Sequence, residues 1–183
     1  MNITTYTLSA PDSDSYFFDN ASSDIFCEHC DCYLGERYLP TAIKVKSSFS
    51  DFGFTYDGRL LVSSRGKDTL VRYASTQLSF LEINQSEEIF VLHANDELQF
   101  DANARGSRFL DKCPVCDQYA SVVGATPAYL LDFQEIDKSG FYRSDLEFGT
   151  GREKSPLFIV GSDLKLVLER YFSELDFVLV QHS

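Results

Sequence analysis

Apolar positions along this chain fall into short runs separated by polar or glycine-containing turns, which is the spacing of strands joined by tight connections. Residues Ile3 to Leu8 alternate weakly and open a strand, and Pro11-Asp12-Ser13-Asp14-Ser15 follows as a polar turn. Ala42, Ile43 and Val45 predict a strand over Thr41 to Lys46. The stretch from Phe49 to Gly58 reads as an aromatic loop or hairpin closed by the Asp57-Gly58 turn. Leu60-Leu61-Val62 is the next strand. Ser63 or Ser64 then caps a helix carrying Leu70, Val71, Tyr73 and Ala74, and Phe80 to Ile83 returns to strand. The same order recurs near the end of the chain. Leu157 to Val160 is a strand, Ser162 a cap, Leu164, Val167, Leu168, Tyr171, Phe172 and Leu175 mark a helix, and Asp176 to Val180 closes the unit.

Between these units, Glu88 to His93 and Glu97 to Phe100 predict a hairpin across Asn95-Asp96, and Tyr129 to Phe133 a further strand. Gly140 to Arg143 and Leu146 to Gly149 read as two short aromatic strands before a loop from Gly151 to Pro156. The fold class that follows is α+β, mainly antiparallel sheet with two or more helices. Laid over one another at an offset of 98 residues, the two strand-helix-strand units match Val62 with Val160, Ser64 with Ser162, Leu70 with Leu168 and Tyr73 with Tyr171. One reading is a single domain over 1–183 with pseudo-repeat halves 1–105 and 106–183. The other is that any strand-helix-strand unit draws on the same few residue types.

Composition changes the picture in two ways. With 183 residues, 44% hydrophobic and 14% aromatic, the chain has the material for a core and is not disordered. Its opening residues lack a basic region followed by an apolar run, and no stretch reaches the ~18 apolar residues of a membrane span, so the expected location is cytoplasmic. Sixteen Lys and Arg against 28 Asp and Glu leave a net charge of −12, a field that repels phosphate backbones and argues against nucleic acid, as the lack of a long apolar run argues against membrane. The carboxylates are spread along the chain, from Asp12, Asp14, Asp19 and Asp24 to Asp145 and Glu147. They serve either as an ordinary solvated surface or as a steering surface for a basic protein partner.

Two Cys-x-x-Cys pairs, Cys27 with Cys30 and Cys113 with Cys116, carry the candidate chemistry. In a reducing compartment this spacing points to metal, and four thiolates complete the tetrahedron that zinc favours without further ligands. Such a closed cage is a structural Zn2+ site. Eighty-two residues separate the pairs, far more than in a compact zinc ribbon, so the cage would clip remote segments together. The alternative is partial occupancy or a reversible disulfide. Cys32 is left over, as a fifth thiol, a substitute ligand or a small buried residue, and His29 inside the first pair is expected to face solvent. No nucleophile elbow, phosphate loop, dinucleotide fingerprint or His-Glu-x-x-His is present. His93 sits in an apolar strand and His182 in the tail, while Asp132 with Glu135 is explained equally by surface charge or by acid-base work. No residue is assigned a catalytic or cofactor-binding role.

The two knuckles, with Gly140-Phe141-Tyr142-Arg143, Pro156-Leu157-Phe158-Ile159-Val160, Leu168-Glu169-Arg170 and Leu175-Asp176-Phe177-Val178, resemble the bacterial double-CXXCG motif proteins. Some of these are immunity proteins of polymorphic toxin systems. The departure is that Asp31 and Asp117 stand where that family has the glycine after each knuckle, and Asp reaches the same left-handed backbone at some cost. The resemblance implies a cytoplasmic inhibitor in bacterial competition that binds a cognate toxin, with Cys27, Cys30, Cys113 and Cys116 as zinc ligands. A nuclease toxin with a basic cleft would suit the acidic surface. The competing expectations are a small zinc-stabilised enzyme or nucleic-acid factor, and an acidic adaptor protein.

Overall fold

Short apolar runs with no polar member, such as Leu60-Leu61-Val62 and Phe158-Ile159-Val160, need cover on both faces of a sheet, and the structure provides it. This structure, a computed structural model, describes residues 4–35, 38–41, 43–84, 88–131 and 135–183. In chain order its elements are β1 (Thr5–Ser9), β2 (Phe52–Phe54), β3 (Leu60–Ser63), α1 (Ser64–Tyr73), β4 (Leu78–Asn84), β5 (Ile89–Ala94) and β6 (Glu97–Leu98). They continue as α2 (Ala102–Arg105), β7 (Arg108–Lys112), β8 (Tyr119–Val123), β9 (Tyr129–Leu130), β10 (Phe141–Thr150), β11 (Ser155–Gly161), α3 (Ser162–Tyr171), β12 (Asp176–Leu179) and β13 (Gln181–His182). The fold is mainly antiparallel sheet with three α-helices among the described residues.

A four-stranded sheet runs β2-β3-β5-β4, and a larger one runs β12-β1-β11-β10-β8-β7 with β6 added to β10. Alternating side chains of the inner strands divide between three hydrophobic clusters. Leu60 and Val62 of β3 and Phe158 and Val160 of β11 point into one central core, together with Leu70 of α1 and Leu168 of α3. Leu61, between them, faces an outer cluster with Phe17, Phe18, Ile25 and Phe26, and Ile159 faces another with Tyr142, Phe148 and Leu130. Both sheets are thus covered on both faces, and they share the middle layer.

The two strand-helix-strand units predicted from the pattern form as β3-α1-β4 and β11-α3-β12. Their sheets have matching orders, β2-β3-β5-β4 and β10-β11-β1-β12, all antiparallel. In the first, β5 follows β4 in the chain and inserts between β3 and β4. In the second, the inserted strand is β1, from the opposite end of the chain, so a cut between residues 105 and 106 separates β1 from the sheet that it completes. Equivalent residues meet across the middle: the rings of Tyr73 and Tyr171 stack at 6.4 Å.

The helix starts differ. Ser63 caps α1, its Oγ accepting from Gly66 N at 3.1 Å. At α3 the cap position is Gly161, not Ser162, and no side chain caps it. The carbonyl of Lys138 instead accepts from Asp163 N at 2.9 Å and Leu164 N at 3.2 Å. That strand of backbone lies so close that a Cβ on Gly161 would sit 2.3 Å from the Lys138 oxygen.

Several expectations are corrected. Residues 43–46 form no strand; Ile43 is buried in the cluster beside β3 and Lys46 N donates to Ser13 O at 3.0 Å, contacts of a loop laid over the sheet. Ala42 and Ile3 lie outside the described residues. There is no hairpin across Asn95-Asp96. Asp96 accepts from Arg143 N at 3.0 Å and from Gln77 N at 3.2 Å, which turns the chain away so that β6 pairs parallel with β10. The two short strands expected from Gly140 to Gly149 are one, β10, kinked where its register against β11 shifts between Arg143 and Glu147. The strand at Tyr129 is observed as Tyr129–Leu130, paired with β13, and Asp132 and Phe133 fall outside the described residues. No helix among the described residues is long and apolar enough to cross a membrane.

Candidate metal centre

The first knuckle follows a 3-10 turn, Ser23–Ile25, and is held by Phe26 bridging Tyr33. Within it Cys27 N donates to Cys32 O at 2.9 Å and Asp31 N to Cys27 O at 2.8 Å. The second knuckle is the turn of the β7-β8 hairpin and repeats these bonds: Cys113 N to Gln118 O at 2.8 Å and Asp117 N to Cys113 O at 3.0 Å. Asp31 and Asp117 take the left-handed conformation at φ 61° and 63°, which Asp reaches at some cost. Each also makes an ion pair. Arg152 grips Asp31 with two bonds, at 2.7 and 2.5 Å, and lays its guanidinium 4.1 Å from the Phe26 ring centre. Lys112 reaches Asp117 at 2.8 Å.

The structure brings the four predicted cysteines together. Cys27 and Cys113 sulfurs are 3.7 Å apart, Cys30 and Cys116 sulfurs 3.5 Å, and all four lie within 4.8 Å of one another. A tetrahedron with Zn–S bonds of about 2.3 Å has sulfurs about 3.8 Å apart, so the spacing is compatible with a metal ion such as zinc. Cys27 and Cys113 are buried, and Cys30 and Cys116 half-buried. Burial pushes the thiols of Cys30 and Cys116 up. It pushes Cys113 the same way, but the amides of Cys116 and Val115 and the neighbouring sulfurs bring it down to about 6. Four thiolates this close cannot all hold their charge without a cation between them. The donor set therefore suits a divalent, thiophilic ion.

Around the sulfurs a polar clasp ties the two knuckles to the turn between β10 and β11. Gln118 Nε2 donates to Tyr33 O at 2.9 Å, and Lys154, itself buried, donates from Nζ to Gln118 Oε1 at 3.1 Å and to Tyr119 O at 2.9 Å. Cys32 is fully buried and points its thiol at Tyr119 O, 3.5 Å away, so it belongs to this clasp and not to the cluster of four. His29 is exposed and also stands apart. His182 Nε2 lies 3.4 Å from Thr5 Oγ1, and Glu135 is exposed. His93 is the exposed residue of β5 and lines a separate cavity, where partial desolvation first, and then Arg59 and Arg143, hold its pKa below the usual value. The contribution of Arg59 to that cavity was not legible in the sequence.

No protein-family model matches the chain, and no curated protein matches it significantly. The centre is defined by its geometry alone: a four-cysteine cluster joining segments remote in the sequence.

Proposed function

We propose that the cysteine cluster holds one structural zinc ion and that the protein is an immunity protein, of the double-CXXCG type, which binds and neutralises a cognate antibacterial toxin in the cytoplasm. Cys27, Cys30, Cys113 and Cys116 are its ligands, and the metal makes part of the folding free energy of the domain. The observation that carries the partner reading is the placement of charge. Asp12, Asp14, Asp19 and Asp24 are all exposed on the segment that leads into the first knuckle, in a protein of net charge −12. A steering surface of this sign fits a basic protein, such as a nuclease whose cleft binds phosphates. A closed thiolate cage has no open position for catalysis, in keeping with inhibition by binding.

Co-expression tests it. If an adjacent reading frame encodes a toxin, cells making it survive when the chain is present, and the two proteins co-purify; absence of such a frame, or failure of both rescue and co-purification, overturns the reading. The alternative of a small enzyme has one observation in its favour, the cavity holding His93 beside Arg59 and Glu147. His93→Ala leaves toxin neutralisation intact if binding is the function.

A further inference from the structure

The cavity at His93, about 480 Å³, is remote in character from the thiol cluster. Phe17, Phe18 and Tyr38 form an aromatic wall, with ring centres of Tyr38 at 5.6 Å from Phe17 and 5.7 Å from Phe18. Leu60, Leu92 and Phe158, from both sheets, supply apolar cover. Arg59 enters between them. Its guanidinium carbon lies 5.0 Å from the centre of the Phe18 ring, 5.9 Å from Tyr33 and 6.0 Å from Phe17. Cation–π stacking of this kind engages the faces of the guanidinium plane and leaves its N–H edge for an acceptor.

That edge is poorly used. Among the described residues no carboxylate comes within 4.0 Å of Arg59, and its side chain has one acceptor, Lys154 O, at a long 3.4 Å. The adjacent Asp57 is committed elsewhere, its two oxygens accepting from the amides of Phe17 and Phe18 at 2.8 Å each. Glu147 lines the cavity but is exposed and beyond ion-pair distance. Arg143 adds a second cation, tied to Glu97 at the rim, and Asn95 adds an amide. Burial lowers the pKa of Arg59, while the nearby charges of Glu147 and Asp57 act to raise it without making an ion pair. In a strongly acidic protein, positive charge is here gathered between apolar walls.

We propose that this cavity binds a small organic carboxylate with a planar apolar body, the carboxylate on the edge of Arg59 and the body against Phe18 and Tyr38. A guanidinium fork matches a carboxylate in two parallel bonds, and those bonds strengthen where the walls exclude water. The volume lies in the range of small-molecule sites, well above what a bare inorganic ion fills. This inference is independent of the toxin and of the metal.

The test is titration of the full-length protein, purified with its metal, by phenylacetate, by its neutral isostere phenylacetamide and by inorganic phosphate. Binding is followed by calorimetry and by NMR shifts of the Arg59 side-chain N–H and the Asn95 amide. Phenylacetate is expected to move both signals and to bind at least tenfold tighter than either comparator. Arg59→Gln should weaken it tenfold or more. Should that variant fail to fold, Arg143→Gln at the rim should weaken binding several-fold with the fold retained. Equal binding of phenylacetamide overturns the anion site, equal binding of phosphate overturns the organic body, and no perturbation by millimolar phenylacetate overturns the site altogether.

Discussion

The units β3-α1-β4 and β11-α3-β12 follow the same plan yet are completed in different ways. The first takes its missing strand from the next stretch of its own chain, β5, while the second takes β1 from the far end. The first caps its helix with a serine side chain, the second with the backbone of Lys138 pressed against a glycine. A local plan can therefore be repeated while the contacts that finish it are improvised from whatever chain lies nearby. One unit is closed locally. The other depends on long-range closure, and its stability should be the more sensitive to changes outside it.

Removing residues 1–9 should have the largest effect. It strips the strand that pairs with both β11 and β12 and carries the buried Leu8, and it leaves two unpaired edges. Circular dichroism and thermal melts should show loss of cooperative folding, and a peptide of residues 1–10 added in trans should restore it; a truncated protein that melts like the full chain would erase the contrast between the units. Next come the caps. Gly161→Ala forces a Cβ to within 2.3 Å of the Lys138 carbonyl, a backbone atom that cannot swing away, and should cost about 3 kcal/mol. Ser63→Ala at the equivalent cap should cost about 1 kcal/mol, read from denaturant midpoints at unchanged slope. Equal costs would mean that the two starts are alike.

The smallest effect is pH-dependent and belongs to the first unit. His93 in β5, exposed at its edge yet partly desolvated by its neighbours, has a folded pKa below its ordinary 6.5, through that desolvation and the charges of Arg59 and Arg143. As pH falls through that value the unfolded chain binds the proton before the folded one does, so stability declines on acidification. His93→Gln should flatten the melting temperature between about pH 7 and pH 5 relative to the parent, and an unchanged slope would deny the depressed pKa.

Much of this plan was legible because the inner strands carry side chains with two faces to bury. Leu60-Leu61-Val62 and Phe158-Ile159-Val160 are continuous apolar runs for that reason, and the Asp57-Gly58 turn, with Gly58 at φ 77°, gave the β2-β3 hairpin correctly. The four cysteines were found because ligand spacing is local to each knuckle. What was not legible depends on partners distant in the chain. β7 shows no periodicity since all five of its residues are exposed, and the β7-β8 hairpin that presents Cys113 went unread. Asn95-Asp96 looks like a hairpin turn, but bonds from Gln77 and Arg143 decide where the chain goes. The segment of the apolar Ile43 lies in no ladder, and Lys46 N at its end donates to Ser13 O instead. The role of Arg59 appears only once Phe17, Phe18 and Tyr33 are brought over it.

The central claim is that one metal ion joins Cys27 and Cys30 to Cys113 and Cys116 and so holds the remote segments together. Elemental analysis of protein purified without added zinc, paired with a thermal melt before and after chelation, tests it most directly. The account predicts about one zinc per chain and a large fall in melting temperature when the metal is removed, reproduced by Cys113→Ser. Well under one equivalent of metal, with a melt that chelation does not move, would contradict it.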